Sequence, residues 1–212
     1  MPEITGLEVN ALKFFSNKPK NRKQTEEKVL TTPQKIVDAL RDIIIVFVIF
    51  LLVYMLLFRV VVVDGGSMNN TLYNGDRLIL LSSTVYHDPQ PGDIVVASLK
   101  DFNNGRCIVK RVIAVEGQTI EIKDSQVYVD GVAIDEPYIL GSTYAPGYMD
   151  GPITVEPGYV FVMGDNRENS TDSRMLGQVD KREILGKVVF LLTPGKETGR
   201  GESDTGRIGA VK

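Results

Sequence analysis

The chain of 212 residues has one cysteine, one histidine and no tryptophan. A single thiol, Cys107, excludes any intrachain disulfide. Followed by Ile108 and Val109, it reads as a small buried hydrophobe. The lone histidine, His87, sits in Tyr86-His87-Asp88-Pro89, a turn-like stretch. A Ser–His–Asp triad would have to use it, and a metal site of His and Cys ligands lacks the residues to form. No metal and no cofactor are expected. Basic charge is also scarce where a nucleic-acid surface would need it. Residues 1–42 hold 8 Lys/Arg against 6 Asp/Glu, whereas residues 64–212 hold 15 against 21. The acidic larger part argues against nucleic acid as a partner. No internal repeat is visible, and no long amphipathic helix follows residue 64.

What the sequence does have is one long apolar run. Ile43 to Phe58 is unbroken, Arg59 interrupts it, and Val60–Val63 continue it. About 20 helical residues cover the hydrocarbon core of a bilayer, so a transmembrane helix is expected over residues 42–62, with Arg59 snorkelling near one boundary. A cleaved signal peptide and a buried core helix share this signature. Against the first, 42 largely polar residues precede the run, and no small-residue cleavage site closes it. Lys23, Lys28, Lys35 and Arg41 lie on the N-terminal side, whereas beyond Arg59 the next basic residue is Arg77. The bias of basic residues predicts a cytoplasmic segment 1–41, a single pass, and an outward-facing remainder on the outer face of the plasma membrane.

Val60–Val63 are β-branched, so the helix is expected to hand over to a strand near here, and beyond the run the pattern is β. Arg77–Leu81, Ile94–Ala97, Cys107–Val115, Thr119–Lys123, Gln126–Val129, Val132–Ile134, Tyr159–Met163 and Lys187–Leu192 are short apolar or alternating stretches between turn signals. Asp130-Gly131 suits a type I′ hairpin turn. The predicted fold is mostly β, of barrel or sandwich kind, over residues 63–193. Residues 136–158, rich in Pro, Gly and Tyr, are expected as an extended surface loop. Residues 194–212, rich in Gly and charge, are expected as a disordered tail.

Three segments could carry chemistry. Gly65-Gly66-Ser67-Met68 follows the apolar run directly. Its glycines allow unusual backbone angles and close approach of another chain, although Gly-Gly-Ser is also a common plain turn. In Ile108-Val109-Lys110-Arg111-Val112-Ile113, strand alternation puts Ile108, Lys110 and Val112 on one face and Arg111 on the other. If Lys110 is the cation among branched apolar side chains, burial lowers its pKa, and a neutral amine can take a proton from a serine. Arg111 cannot, because guanidinium stays charged. The alternative is a surface lysine snorkelling from a half-buried strand. The third segment, Gly164 to Arg174, is dense in hydrogen-bonding side chains, which suits either an ordered site loop or a solvated connection.

Taken in order, these segments resemble bacterial type I signal peptidases, from the apolar run to about residue 193. Asp64-Gly65-Gly66-Ser67-Met68-Asn69-Asn70-Thr71-Leu72 with Gly75-Asp76 is similar to the family's nucleophile box. Gly92-Asp93-Ile94-Val95-Val96 is similar to the next. Val109-Lys110-Arg111-Val112-Ile113-Ala114 resembles the box of the general base, and Gly164-Asp165-Asn166-Arg167 with Ser170, Asp172-Ser173-Arg174 and Gly177 resembles the last.

The resemblance implies a membrane-bound serine endopeptidase that removes signal peptides after small residues through an acyl-enzyme. Ser67 would be the nucleophile, Lys110 the general base, and Ser170 the serine that orients the lysine amine. Asp172 and Arg174 would form a supporting ion pair. The backbone at Ser67 and Gly65 would form the oxyanion hole. Asp64, Gly66, Met68, Leu72, Ile108 and Val109 would meet the substrate. Implied partners are preproteins bearing signal peptides, the lipid bilayer and the protein export machinery.

Departures exist. Asn70 stands where the family usually has Pro, Gly65 where many members have Ser, and Glu116-Gly117-Gln118 where Pro-Gly-Asp is usual. A proline there would stiffen the turn. Glycine at position 65 leaves only backbone donors. Two rival readings share the fold: a catalytically silent tethered domain that binds exported peptides, and a self-cleaving regulator with a similar Ser–Lys core.

Overall fold

The computed structural model describes residues 32–99, 107–146, 149, 151–195 and 205–211. Lys23, Lys28 and most of the expected segment 1–41 lie outside the described residues.

A helix α1 spans Thr32–Leu57, with Pro33 in its first turn, where a missing N–H costs no hydrogen bond. Its 26 residues give about 39 Å of rise. Its side chains from Ile43 to Met55 are exposed nearly throughout, so it has the length and apolar surface to cross a bilayer. The expected bounds 42–62 need correction at both ends. The helix begins ten residues earlier, and Phe58–Val62 form a strand, β1. The reason lies in Val60–Val63. β-Branched side chains suit a pleated surface, and this stretch finds a partner, with Val60 opposite Ile79. Arg59 therefore lies in a strand rather than within the apolar helix.

The remaining elements, in chain order, are β2 (Arg77–Ser82), β3 (Ile94–Ser98), β4 (Cys107–Val115), β5 (Thr119–Lys123), β6 (Gln126–Val129), β7 (Val132–Ala133), β8 (Ile153–Thr154), β9 (Tyr159–Met163), α2 (Ser173–Leu176), β10 (Val179–Asp180), β11 (Ile184–Thr193) and β12 (Gly209–Ala210). The mostly β expectation is met. Among the described residues the strands make two open sheets rather than a closed barrel. The larger runs β1-β2-β11-β3-β4-β9-β10, with β12 also on β11, and the smaller runs β7-β6-β5-β8. Asp130 and Gly131 both have positive φ, 52° and 78°, as a type I′ turn between β6 and β7 requires.

Strand β3 is buried on both faces, which explains its unbroken apolar run. Ile94 and Val96 join one cluster with Val63, Met68, Leu72, Leu78, Leu80, Val188 and Leu191. Val95 and Ala97 join another with Val112, Val160 and Val162. A third cluster, Ile113, Ile120, Val127, Met149, Val155, Phe161 and Met163, draws from both sheets.

Three expectations are corrected here. The stretch 136–158 is not merely a surface loop, since Glu136, Thr143, Met149 and Val155 are buried and Ile153–Thr154 pair as β8. Of the expected disordered tail, residues 196–204 and 212 lie outside the described residues, and the rest is ordered. Pro194 and Gly195 are buried, Thr205–Arg207 form a 3₁₀ turn, and β12 pairs with β11. Cys107 is exposed rather than buried, because it opens β4 before the strand enters the core.

Candidate active site

The segment Val63–Asp76 is a loop closed at its base: Val63 N–H donates to Asp76 O (2.9 Å) and Gly75 N–H to Val63 O (2.8 Å). Within it, Thr71 and Leu72 N–H both donate to Met68 O, a single helical turn that rolls Met68 and Leu72 inward. Each is 1% exposed. These two, expected to line a substrate pocket, pack in the core cluster beneath the loop. The same turn leaves Ser67 half-buried at the loop's rim. Asp64 and Gly65 are exposed and Gly66 is half-buried.

Strand β4 brings Lys110 to this rim. Its Nζ lies 2.6 Å from Ser67 Oγ, and the residue is 4% exposed. The alternation argument left open which cation is buried, Lys110 or Arg111. The structure buries both, and the two are compensated differently. Arg111 forks onto Asp165, with Nε to Oδ1 at 2.9 Å and Nη2 to Oδ2 at 2.7 Å, and its guanidinium lies 3.9 Å from the Tyr138 ring centroid. Arg174 forks onto Asp172 with Nε and Nη2. Arg167 pairs with Glu136 and donates to Thr143 Oγ1 and to Gly164 O. Three buried guanidiniums thus each own a carboxylate, while the Lys110 amine meets a hydroxyl.

Burial is accordingly the largest influence on that amine. It outweighs the opposing charge of Asp172, and Arg174 adds to the shift. The pKa falls from 10.5 to about 8.

The last box surrounds the pair. Asn166 N–H donates to Ser67 O and its Nδ2 to Gly66 O, both at 3.0 Å, so one residue holds the Ser67 loop by two carbonyls. Asp165 Oδ2 accepts from Thr71 Oγ1 at 2.5 Å. Gly164 is a glycine by necessity: a Cβ there would stand 2.2 Å from Ser170 Oγ and 2.5 Å from Ser67 O. Asp172 caps α2 and accepts from Ser170 Oγ (2.7 Å) and Gly164 N–H (3.0 Å). Burial alone would raise its carboxyl, but the Arg174 hydrogen bonds and charge, with those of Ser170 and Gly164, hold it below the usual range. Ser170 was expected against the lysine amine. Here its hydroxyl donates to Asp172.

The two expected backbone donors also part company. Gly65 N–H donates to Asn74 Oδ1 at 2.9 Å. Among the described residues no group accepts from Ser67 N–H. Asn74 was not anticipated, nor were roles for Arg111, Glu136, Tyr138, Thr143, Asp165, Asn166 and Arg167. The crowding of hydrogen-bonding residues at 164–174 was the available signal for the last three. Nothing local marked Glu136 or Thr143. His87 is exposed and lies after the turn at 83–85 rather than within one.

Beside the pair, the described residues leave one sheet edge unpaired. Strand β4 pairs with β3 from Cys107 to Arg111, but with β9 only from Arg111 onward. Val112 N–H and C=O bond toward Asp93 and Gly92 on the β3 side. Alternation therefore turns the backbone groups of Cys107 and Val109 to the other side, where no described strand pairs with them. Ile108 and Val109 are half-buried along this edge.

A sequence model of the family described as "Signal peptidase, peptidase S26" matches residues 36–193. The chain is 39% identical over 145 residues to a probable signal peptidase I-1 of Synechocystis, covering 65% of this chain and 72% of that protein. It is 35% identical over 184 residues to a signal peptidase I of Bacillus licheniformis, covering 82% and 97%. A crystal structure of a signal peptidase I from Enterococcus faecalis matches at 30% identity and a TM-score of 0.40, over 47% of this chain and 96% of that one.

Proposed function

The chain belongs to the signal peptidase family, peptidase S26, and is a signal peptidase enzyme; from that premise we propose that it cleaves exported preproteins with Ser67 as nucleophile and Lys110 as general base. One observation carries the reading: the Lys110 amine is a buried cation without a carboxylate of its own, 2.6 Å from a serine hydroxyl. When protonated, the amine donates to Ser67 Oγ. Once it has lost that proton, its lone pair accepts from the hydroxyl, which is the orientation a base needs. Arg111 and Arg174 occupy Asp165 and Asp172, and so keep those carboxylates from holding the amine charged.

The leader peptide lies extended along the open edge of Cys107–Lys110 and adds as a strand. Ser67 Oγ attacks the scissile carbonyl as its proton passes to Lys110. The developing oxyanion is met by Ser67 N–H. The C–N bond then breaks, and the lysine proton goes to the leaving amine. Water, deprotonated by the same neutral lysine, hydrolyses the ester and restores Ser67. In keeping with the family resemblance, small side chains one and three residues before the cut are selected beside Ile108 and Val109. The helix Thr32–Leu57 is a single membrane span with a cytoplasmic N-terminus. It leaves the catalytic domain on the outer face, where preproteins leave the export machinery.

The test is cleavage of one preprotein in detergent or liposomes, wild type against Ser67→Ala, with the cut site mapped. Loss of cleavage in the variant, with the fold kept, is the expected result. Wild type that binds the leader but leaves it intact would favour a silent peptide-binding domain. Cleavage by Ser67→Ala would remove the dyad.

A further inference from the structure

We propose that Arg207, in the C-terminal segment, is a positioning residue that holds the nucleophile loop in register with Lys110. The inference rests on the reading of Ser67 and Lys110 given above. Asp76, fully buried at the closing end of that loop, accepts from Tyr73 N–H (2.9 Å) within the loop and from Gly195 N–H (2.7 Å) outside it. Arg207 then forks onto the same carboxylate, Nη2 to Oδ2 at 2.6 Å and Nη1 to Oδ1 at 3.2 Å. Nη2 also donates to Thr71 O at 3.1 Å, and the guanidinium lies 4.4 Å from the Tyr73 ring centroid.

Thr71 is the point where two supports meet. Its hydroxyl is held by Asp165, which Arg111 in turn grips from beside Lys110. Its carbonyl is held by Arg207. The catalytic network and the tail thus grasp the same residue from different sides, four positions after Ser67.

The tail is seated well enough to do this. Strand β12 pairs with β11 at Phe190 and Leu191, beyond the stretch Ile184–Lys187 that β3 covers, and Val211 packs against the cluster holding Met68 and Leu72. Gly195 approaches so closely that a Cβ would stand 2.2 Å from Asn74 O. An arginine does this best, because its fork can bond both carboxylate oxygens, reach a third acceptor and stack on a ring, whereas an ammonium keeps the charge on Asp76 and only part of these contacts.

The test uses full-length Arg207→Ala and Arg207→Lys in detergent, with steady-state cleavage of a preprotein, melting midpoints, and Ser67→Ala in parallel. Arg207→Ala should lose about tenfold in kcat, or about 1.4 kcal/mol. KM should stay within about twofold, since the leader's strand edge is untouched. Arg207→Lys should recover part of the loss. All rates are read well below each variant's melting midpoint, so unfolded protein does not count as slow enzyme. A kcat for Arg207→Ala within about twofold of wild type, or a rise in KM alone, would overturn the proposal. So would a loss in Arg207→Lys as large as in Arg207→Ala. Activity in Ser67→Ala would instead overturn the dyad on which it rests.

Discussion

The pH dependence of cleavage tests the chemistry most directly. With a pKa of about 8, Lys110 is neutral in about a tenth of molecules at pH 7, about half at pH 8 and about nine-tenths at pH 9. A solvated lysine near 10.4 would be neutral in well under a thousandth of molecules at pH 7. If the neutral amine is the base, kcat/KM should rise about tenfold from pH 7 to pH 9 and then level off. The assay is preprotein cleavage in detergent at substrate concentrations far below KM, so that the profile reports the free enzyme. Lys110→Arg, which keeps the charge but cannot shed its proton, should be inactive throughout. A flat profile would refute the reasoning, and so would one still climbing steeply above pH 9. Retained activity in Lys110→Arg would do so independently.

Other outcomes follow from the same geometry. The folded amine has a lower pKa than the unfolded one, so the unfolded chain binds more protons between about pH 8 and 10.4, and burial of Lys110 penalises the fold below that window by up to about 3 kcal/mol. Lys110→Met should therefore raise the unfolding free energy at pH 7, less the lost bond to Ser67. That gain should shrink as pH rises through the window in paired denaturant titrations. Gly164→Ala should destabilise by about 1–3 kcal/mol through overpacking and abolish cleavage, since its Cβ would press on Ser170 and the Ser67 carbonyl. Melting curves and cleavage assays on the same sample check both effects. Glu136→Gln leaves the fully buried Arg167 without a carboxylate and should cost about 3–5 kcal/mol, visible as a lowered melting midpoint.

Local pattern reaches some parts of this molecule and not others. The strands from Thr119 to Val129 are legible residue for residue, because alternation and the Asp130-Gly131 turn are properties of neighbours. Strand β10 and strand β8 are not, since two residues carry no period and pair only because a longer strand lies beside them. The helix end was placed at 62, although the β-branched run Val60–Val63 already pointed to a strand near there. Pairing with β2 fixes where that strand begins, at Phe58. The tail was misread for a related reason: its composition is that of a solvated segment, and what orders it is Asp76, more than a hundred residues away. In the site, 43 residues separate Ser67 from Lys110, and only the resemblance suggested that they meet. No periodicity could say that Arg111 would find Asp165, or that Arg167 would find Glu136. Nor could it say that Gly65 N–H would bond to Asn74, which belongs to the same loop folded back on itself.

The carbonyl of Ser67 is held by a residue that emerges from the ribosome about a hundred positions later, and the hydroxyl of Thr71 by its neighbour. A chain made from the N-terminus therefore exposes its serine and its lysine long before anything exists to align them. Reactivity on this plan is conferred last. A half-made copy carries the ingredients of the proposed site without yet having the site.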